Sequence, residues 1–248
     1  MAFRPGDEGK DAGGDRKALD GEMSVRAVLF DLDGTLLDTL EDLCDSVNRV
    51  LARNGFPPHA LDAYRYFIGD GAATLFTRAL PPDHREERTL LRCLRQFRED
   101  YGLNWNVKTR PYDGIPGMLD ALVERGIRLS ILSNKPHETT EKCVSGLLGR
   151  WSFDVVLGQR EAVPKKPDPA GAQEIAGRIG VPPGAFVYLG DTGTDMQTAL
   201  AAGMYPVGAL WGFRAEEELR QQGARAYAET PGDFVAFIDA RRAADAGR

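Results

Sequence analysis

The run VLFDLDGTLLDT, residues 28–39, sets three carboxylates just behind an apolar stretch. Asp31 and Asp33 stand two positions apart. Residues i and i+2 share a face in extended backbone, so the two acids converge if the strand continues to Asp33, and a bend after the strand changes this. Gly34 permits a close backbone approach that a side chain would block. Carboxylates gathered around a bound anion repel one another unless a cation intervenes. An oxygen-rich donor set points to Mg²⁺, a hard ion that keeps several waters.

Three further stretches carry polar groups. LGDTGTD, residues 189–195, supplies Asp191 directly behind an apolar run and Asp195 near a helix start, where acid is favoured. ILSNKP supplies Ser133 and Asn134, and VPKKPDP supplies Lys165 and Lys166. A cation opposite three acids has a clear use, since it neutralises a bound phosphate. His59, His84 and His137 are scattered, so no zinc-type ligand cluster is present. Taken singly, each of these residues has an ordinary explanation: Asp caps helices and turns, and surface lysines are common. Four such elements behind four expected strands point instead to one shared phosphate and metal site.

The elements that must position them follow from periodicity. VRAVLF (25–30) reads as a buried strand. Leu119, Leu122 and Val123 mark a helix face that Gly126 closes. The chain then alternates: strand IRLSILSNK entering a polar loop, helix TTEKCVSGLLGRW, strand FDVVLG, helix PAGAQEIAGRIG closed by Gly180, strand AFVYLGD, helix TDMQTALAAG and strand MYPVGALWG. Such alternation predicts an α/β fold, a Rossmann-like parallel sheet covered by helices on both faces. Ligands of such sheets bind at the carboxyl ends of the strands, where each polar motif falls.

Residues 38–108 break the alternation. Leu40, Leu43, Val47 and Leu51 have helical spacing, and GAATLFTRAL and HREERTLLRCLRQFREDYG also read as helices. The stretch is too long for an ordinary connection and is expected to be a helical cap inserted after the first strand, beside the site. The α/β core then comprises residues 23–37 and 109–248. Hinges are expected near 36–40 and 108–112, with Gly114 and Gly117 permitting tight turns. PGDFVAFIDARRAADAGR is expected to begin as a helix and to fray.

With 248 residues, 42% of them hydrophobic, the chain can bury a sizeable core. Its formal net charge of −6 and its lack of a basic stripe argue against a nucleic-acid polymer as partner. No apolar run reaches the ~18 residues of a membrane helix, so no membrane partner is expected. Residues 1–22, glycine-rich and of mixed charge, read as a disordered tail without the apolar core of a secretory signal; whether Met23 is the natural start stays open. Cys44, Cys93 and Cys143 form no pairing framework and read as core thiols of a reducing, cytoplasmic compartment. Trp105, Trp151 and Trp211 read as core or domain-edge aromatics. Nothing periodic decides between monomer and homodimer.

These motifs resemble the haloacid dehalogenase-like hydrolase superfamily. DLDGTLLDT is similar to its DxDGT signature, SNK to its second motif, KKP to its third and GDTGTD to its fourth, GDxxxD. The small helical insertion, with YFIGDGAATLFTRAL at 66–80, is similar to the cap of the phosphoglycolate phosphatase-like branch. The resemblance implies Asp31 as nucleophile forming an aspartyl-phosphate, and Asp33 as general acid and then general base. It implies Mg²⁺ held by Asp31, Asp191 and the backbone carbonyl of Asp33, with Asp195 supporting. Ser133, the Asn134 N–H, Thr35 and the Gly34 N–H would hold phosphoryl oxygens, and Lys166 would be the family lysine, with Lys165 its offset neighbour.

The activity so implied is Mg²⁺-dependent hydrolysis of a small anionic phosphorylated substrate, 2-phosphoglycolate foremost. Sugar phosphates, nucleotides, pyrophosphate, a cap-type phosphomutase and a non-catalytic phosphate-binding or signalling role stay open. Phosphonate cleavage needs a cap lysine, and no lysine occurs between Asp38 and Lys108. Gly69, Asp70 and Gly71 are expected to form a loop facing the site. Arg78 reads as an outward helix charge or an anion contact.

Overall fold

The computed structural model describes Arg4–Pro5 and residues 24–246. The tail expected at 1–22 therefore lies outside the described residues, as does Met23, except for Arg4–Pro5, a two-residue strand (β1). The next strand, β2 (Ala27–Phe30), lies in the interior of the sheet. Its four apolar residues are all buried, as expected of a parallel strand covered on both faces.

Seven strands form one sheet in the order β1-β9-β8-β7-β2-β5-β6, where β5 is Arg128–Pro136, β6 Val155–Gln159, β7 Phe186–Gly190, β8 Tyr205–Ala209 and β9 Ala226–Ala228. Every neighbouring pair is parallel except β1 with β9. Val28 lies beside Leu129 on one side and Val187 on the other. Alternation along β2 divides the core. Val28 and Phe30 join Leu119, Leu122, Phe234 and Ile238 on one face, whereas Ala27 and Leu29 join Ile175, Ala176 and Ala199 on the other. The sheet is thus sandwiched between helix layers, the α/β arrangement read from the sequence.

Four α-helices stand between residues 38 and 110: α1 (Leu40–Arg53), α2 (Leu61–Phe67), α3 (Ala72–Ala79) and α4 (Glu87–Asn104). Leu40, Leu43, Val47 and Leu51 are all buried, as their spacing predicts. The two chain segments that lead into and out of this insertion pair as a short antiparallel ladder, β3 (Leu37–Asp38) with β4 (Arg110–Pro111). Asp42, buried in the first turn of α1, accepts hydrogen bonds from the Lys108 N–H (2.9 Å) and from the Thr109 N–H (2.8 Å) and hydroxyl (2.7 Å). One carboxylate therefore ties the exit segment to the entry helix.

The remaining helices are α5 (Ile115–Glu124), α6 (His137–Leu147), α7 (Ala170–Ile179), α8 (Gly193–Ala202), α9 (Glu216–Gln221) and α10 (Pro231–Ala246). Some expectations need correction. Val123 is half exposed rather than on the buried face of α5. Gly114 does turn the chain, with φ of +87°, but Gly117 lies inside α5. β5 runs on through Pro136, so the polar SNK motif sits on strand rather than in a loop. Helices α2 and α9 and strand β9 carry too few residues to show a period. The three cysteines are buried free thiols.

Candidate active site

Asp31 follows β2 directly, and its N–H donates to Leu189 of β7 (3.0 Å), so it stays docked against the neighbouring strand. Asp191 follows β7, and Asp195 lies in the first turn of α8. Parallel pairing of β2 with β7 thereby brings together acids 160 residues apart in sequence. Carboxylate oxygens of Asp31, Asp191 and Asp195 lie within 4.8 Å of one another, and all three residues are buried.

Each acid is held in place. Asp191 accepts hydrogen bonds from the Thr35 hydroxyl (2.8 Å) and the Phe213 N–H (2.8 Å). Asp195 Oδ2 accepts from the N–H and hydroxyl of Thr192, so this residue both caps α8 and stands in the aspartate cluster. Lys166 Nζ, in the β6–α7 connection, lies 2.7 Å from Asp31 Oδ1 and 2.6 Å from Asp195 Oδ1. Gly34 has φ of +90°, and a Cβ there would come within 2.3 Å of Asp191 Oδ2. The glycine of the first motif is thus required both by backbone conformation and by space.

The electrostatics are those of a cation site. Burial, reinforced by Asp195, pushes the Asp31 carboxyl well above the ordinary carboxylate range despite Lys166. Burial and Asp195 push Asp191 up to about 7. Burial alone would lower the Lys166 ammonium, but Asp195 and Asp31 outweigh it and hold the ammonium charged. Three carboxylates against one ammonium leave two negative charges when all are ionised, which a divalent ion would balance. The donor set therefore fits a hard divalent metal.

The other expected residues take several positions. Ser133 is buried at the end of β5, beside β2, and its hydroxyl accepts the Lys135 N–H. The Asn134 side chain braces the surroundings: its Oδ1 accepts the Lys166 N–H (2.9 Å) and its Nδ2 donates to Gly69 (3.0 Å) and Lys166 (3.2 Å) carbonyls. The Thr35 hydroxyl, expected at phosphoryl oxygens, points to Asp191. Trp211 supports the same turn by donating its indole N–H to the Thr35 carbonyl (2.9 Å).

β2 ends at Phe30 and the chain turns through Gly34, whose N–H donates to Leu37. Asp31 and Asp33 accordingly take different cations. Asp33 lies outside the aspartate cluster and pairs with Lys135 at 2.8 and 3.0 Å. Sequence reasoning missed Lys135. Its signal was faint: a lysine in the polar SNK motif at the end of a strand, where burial demands a counter-ion.

The loop at residues 68–70 of the helical insertion bonds to the core beside the site. The carbonyl of Ile68 accepts Arg214 Nη2 (3.0 Å), that of Gly69 accepts Asn134, and that of Asp70 accepts Lys165 Nζ (2.7 Å). The Asp70 carboxylate accepts the Thr194 hydroxyl (2.8 Å) and Arg78 Nη2 (2.6 Å). Arg78, an exposed helix charge, also fixes this loop through the Asp70 carboxylate, and Lys165 belongs to the same loop contact.

A model of the family described as haloacid dehalogenase-like hydrolase matches residues 28–209. The chain belongs to the haloacid dehalogenase-like hydrolases. It is 32% identical over 215 residues to the phosphoglycolate phosphatase of Aquifex aeolicus, covering 87% of this chain and 97% of the relative. It is 37% identical over 195 residues to the phosphoglycolate phosphatase of Xylella fastidiosa strain 9a5c, covering 78% and 83%. The crystal structure of a predicted phosphoglycolate phosphatase from Haemophilus somnus superposes with a TM-score of 0.81 at 27% identity, covering 88% of this chain and 99% of that one. Within the haloacid dehalogenase-like hydrolases, the buried aspartate cluster beside a buried lysine marks this chain as an enzyme of the phosphatase type.

Proposed function

We propose that this enzyme hydrolyses small phosphomonoesters, 2-phosphoglycolate foremost, with Mg²⁺ and through an aspartyl-phosphate on Asp31. One observation carries the reading: Asp31, Asp191, Asp195 and Lys166 form a buried constellation, while Asp33 stands just outside it with a cation of its own. The names of the relatives support the choice of substrate.

Asp31, Asp191 and the carbonyl of Asp33, with Asp195 beside them, would hold Mg²⁺, which when bound screens the charge between carboxylates and phosphate. The Asp31 carboxylate attacks phosphorus, and the bond from phosphorus to the ester oxygen breaks. Asp33, protonated, gives its proton to that departing oxygen. Asp33, now a carboxylate, takes a proton from water as the water oxygen attacks the aspartyl-phosphate, which frees Asp31 and inorganic phosphate. Lys166, Ser133 and the Asn134 N–H hold equatorial oxygens, where charge spreads during transfer. The loop at Ile68–Asp70 excludes bulk water from the acyl phosphate. The unpaired thiols accord with a cytoplasmic setting for this reaction.

Phosphate release from a panel of 2-phosphoglycolate, sugar phosphates, nucleoside monophosphates and pyrophosphate, with Mg²⁺ and with excess chelator, tests the reading. A Mg²⁺-dependent preference for 2-phosphoglycolate is expected. A flat profile would remove the substrate assignment, and no release from any compound would remove the phosphatase.

A further inference from the structure

We propose that Lys135 is the positioning residue that fixes the acid–base carboxylate Asp33, and that Tyr101 of the helical insertion holds Lys135 in place to do so. The inference rests on the acid–base role of Asp33 given above.

Lys135 Nζ makes a two-pronged contact with Asp33, 2.8 Å to Oδ1 and 3.0 Å to Oδ2. Its third direction is taken by the Tyr101 hydroxyl at 3.0 Å, and it lies 4.8 Å from the centre of the same ring. The lysine side chain is 5% exposed and that of Asp33 is 13% exposed, so the pair is nearly dry. Tyr101 is itself fixed: its ring stacks on Phe97 at 5.2 Å with planes 13° apart. Three elements therefore meet at one ammonium, namely the turn after β2, the end of β5 and helix α4.

This arrangement answers a specific difficulty. Asp33 sits on a turn beyond the end of its strand, where a short side chain has more than one rotamer open to it. A proton donor must nevertheless stand within hydrogen-bond reach of the ester oxygen, and a displacement of about 1 Å costs on the order of 10²-fold in rate. When Asp33 is ionised, as it is for the attack of water, charge-assisted bonds to both oxygens select one rotamer. Because Tyr101 belongs to the insertion, the acid–base group is set in register with the element that covers the site.

The test separates the two chemical steps. With 4-nitrophenyl phosphate the departing oxygen is weakly basic and needs little help from a proton donor, whereas attack by water still needs the base. In Lys135→Met, formation of the aspartyl-phosphate from this substrate should stay within about threefold of the unaltered protein, while its hydrolysis slows by about 100-fold. The acid-trapped phosphoenzyme fraction at steady state then rises. With an alkyl phosphomonoester both steps slow, and kcat falls with little change in KM. Tyr101→Phe, which keeps the ion pair and loses only the hydroxyl, should show the same change in partition at about threefold; it serves should Lys135→Met fold poorly by circular dichroism. An unchanged phosphoenzyme fraction in both variants, or a rise in KM at constant kcat, overturns the inference. Absence of nitrophenol release by the unaltered protein overturns the phosphatase reading, and this inference with it.

Discussion

The side-chain amide of Asn134 donates to the carbonyl oxygen of Gly69 over 3.0 Å, joining the end of β5 to the loop of the helical insertion. The same asparagine accepts the N–H of Lys166. A residue near the end of β5 thus touches both the Lys166 segment and the helical insertion. Two more core residues join in: Lys165 on the Asp70 carbonyl and Thr194 on its carboxylate. These lie next in sequence to Lys166 and Asp195. The loop is therefore hydrogen-bonded to the very segments that carry Lys166 and Asp195.

Asp70→Ala should weaken these contacts without harming the core. The variant loses the Thr194 and Arg78 bonds but keeps the carbonyl contact with Lys165. KM for the best phosphomonoester should rise about 3- to 10-fold, corresponding to one or two modest hydrogen bonds. Amide exchange over residues 66–72 should quicken, with β2 and β7 unaffected. Unchanged exchange in the loop would show that these contacts do not hold it.

Asp31→Asn should abolish turnover and yet make the metal-free protein more heat-stable. Turnover should fall by more than about 10³-fold, as expected for loss of a nucleophile. In the folded chain Asp31 holds its proton more tightly than in the unfolded chain, because of burial first and then Asp195. Its ionisation therefore opposes folding once the pH exceeds its ordinary value of 3.8. Asparagine removes that opposition, and Tm in chelator at pH 8 should rise by about 2–4 °C. A lower Tm would mean that the ion pair with Lys166 outweighs the repulsion.

Stabilisation by Mg²⁺ should grow with pH. Burial and Asp195 push Asp191 up to about 7 in the metal-free fold, so the folded state gains protons relative to the unfolded one between 3.8 and 7. Metal-free stability accordingly declines as pH rises through that window and levels off above it. Metal must displace the same protons, so the increase in Tm on adding Mg²⁺ should be larger at pH 8 than at pH 5.5. Thermal melts with Mg²⁺ and with chelator at the two pH values measure this, and an increment independent of pH would argue against binding at these aspartates.

How much of this was legible beforehand differs residue by residue. The sheet was readable because buried parallel strands are short, continuous apolar runs, and AVLF, FVYLG and RLSIL leave little choice. Asp31, Asp191 and Lys166 were readable because each follows such a strand or lies in the connection leaving one, and parallel pairing carries strand ends to one edge. Lys135 was not, since its partner Asp33 lies 102 positions away and only the packing of β2 on β5 introduces them. The bonds of Arg78 to residues 66–70 were not legible because a helical arginine gives no sign of turning back on its own preceding loop. The side-chain partners of Thr35 and Asn134 were hidden for the same reason: small polar side chains settle on the nearest buried partner, and which one is nearest is a tertiary fact.

The insertion should have an acid-sensitive seam between α1 and α4. Asp100 is buried and accepts from Arg49 at 2.6 and 3.0 Å and from Arg53 at 2.9 Å. Burial would raise its carboxyl, but the hydrogen bonds from Arg49 and Ser46 and the charges of Arg49 and Arg53 hold it below the ordinary range. A depressed carboxyl contributes stability that is present above the unfolded value of 3.8 and is lost as pH falls through the folded one. Both arginines are about half exposed, so solvent screens the pair, and Asp100→Asn should cost about 1 kcal/mol at pH 7 rather than the several expected of a wholly buried pair. The two proteins should then converge in Tm as pH is lowered from 5 toward 2.5, since protonated aspartic acid and asparagine are both neutral there. A Tm difference that persists unchanged to pH 2.5 would place the stabilisation in side-chain packing instead of charge.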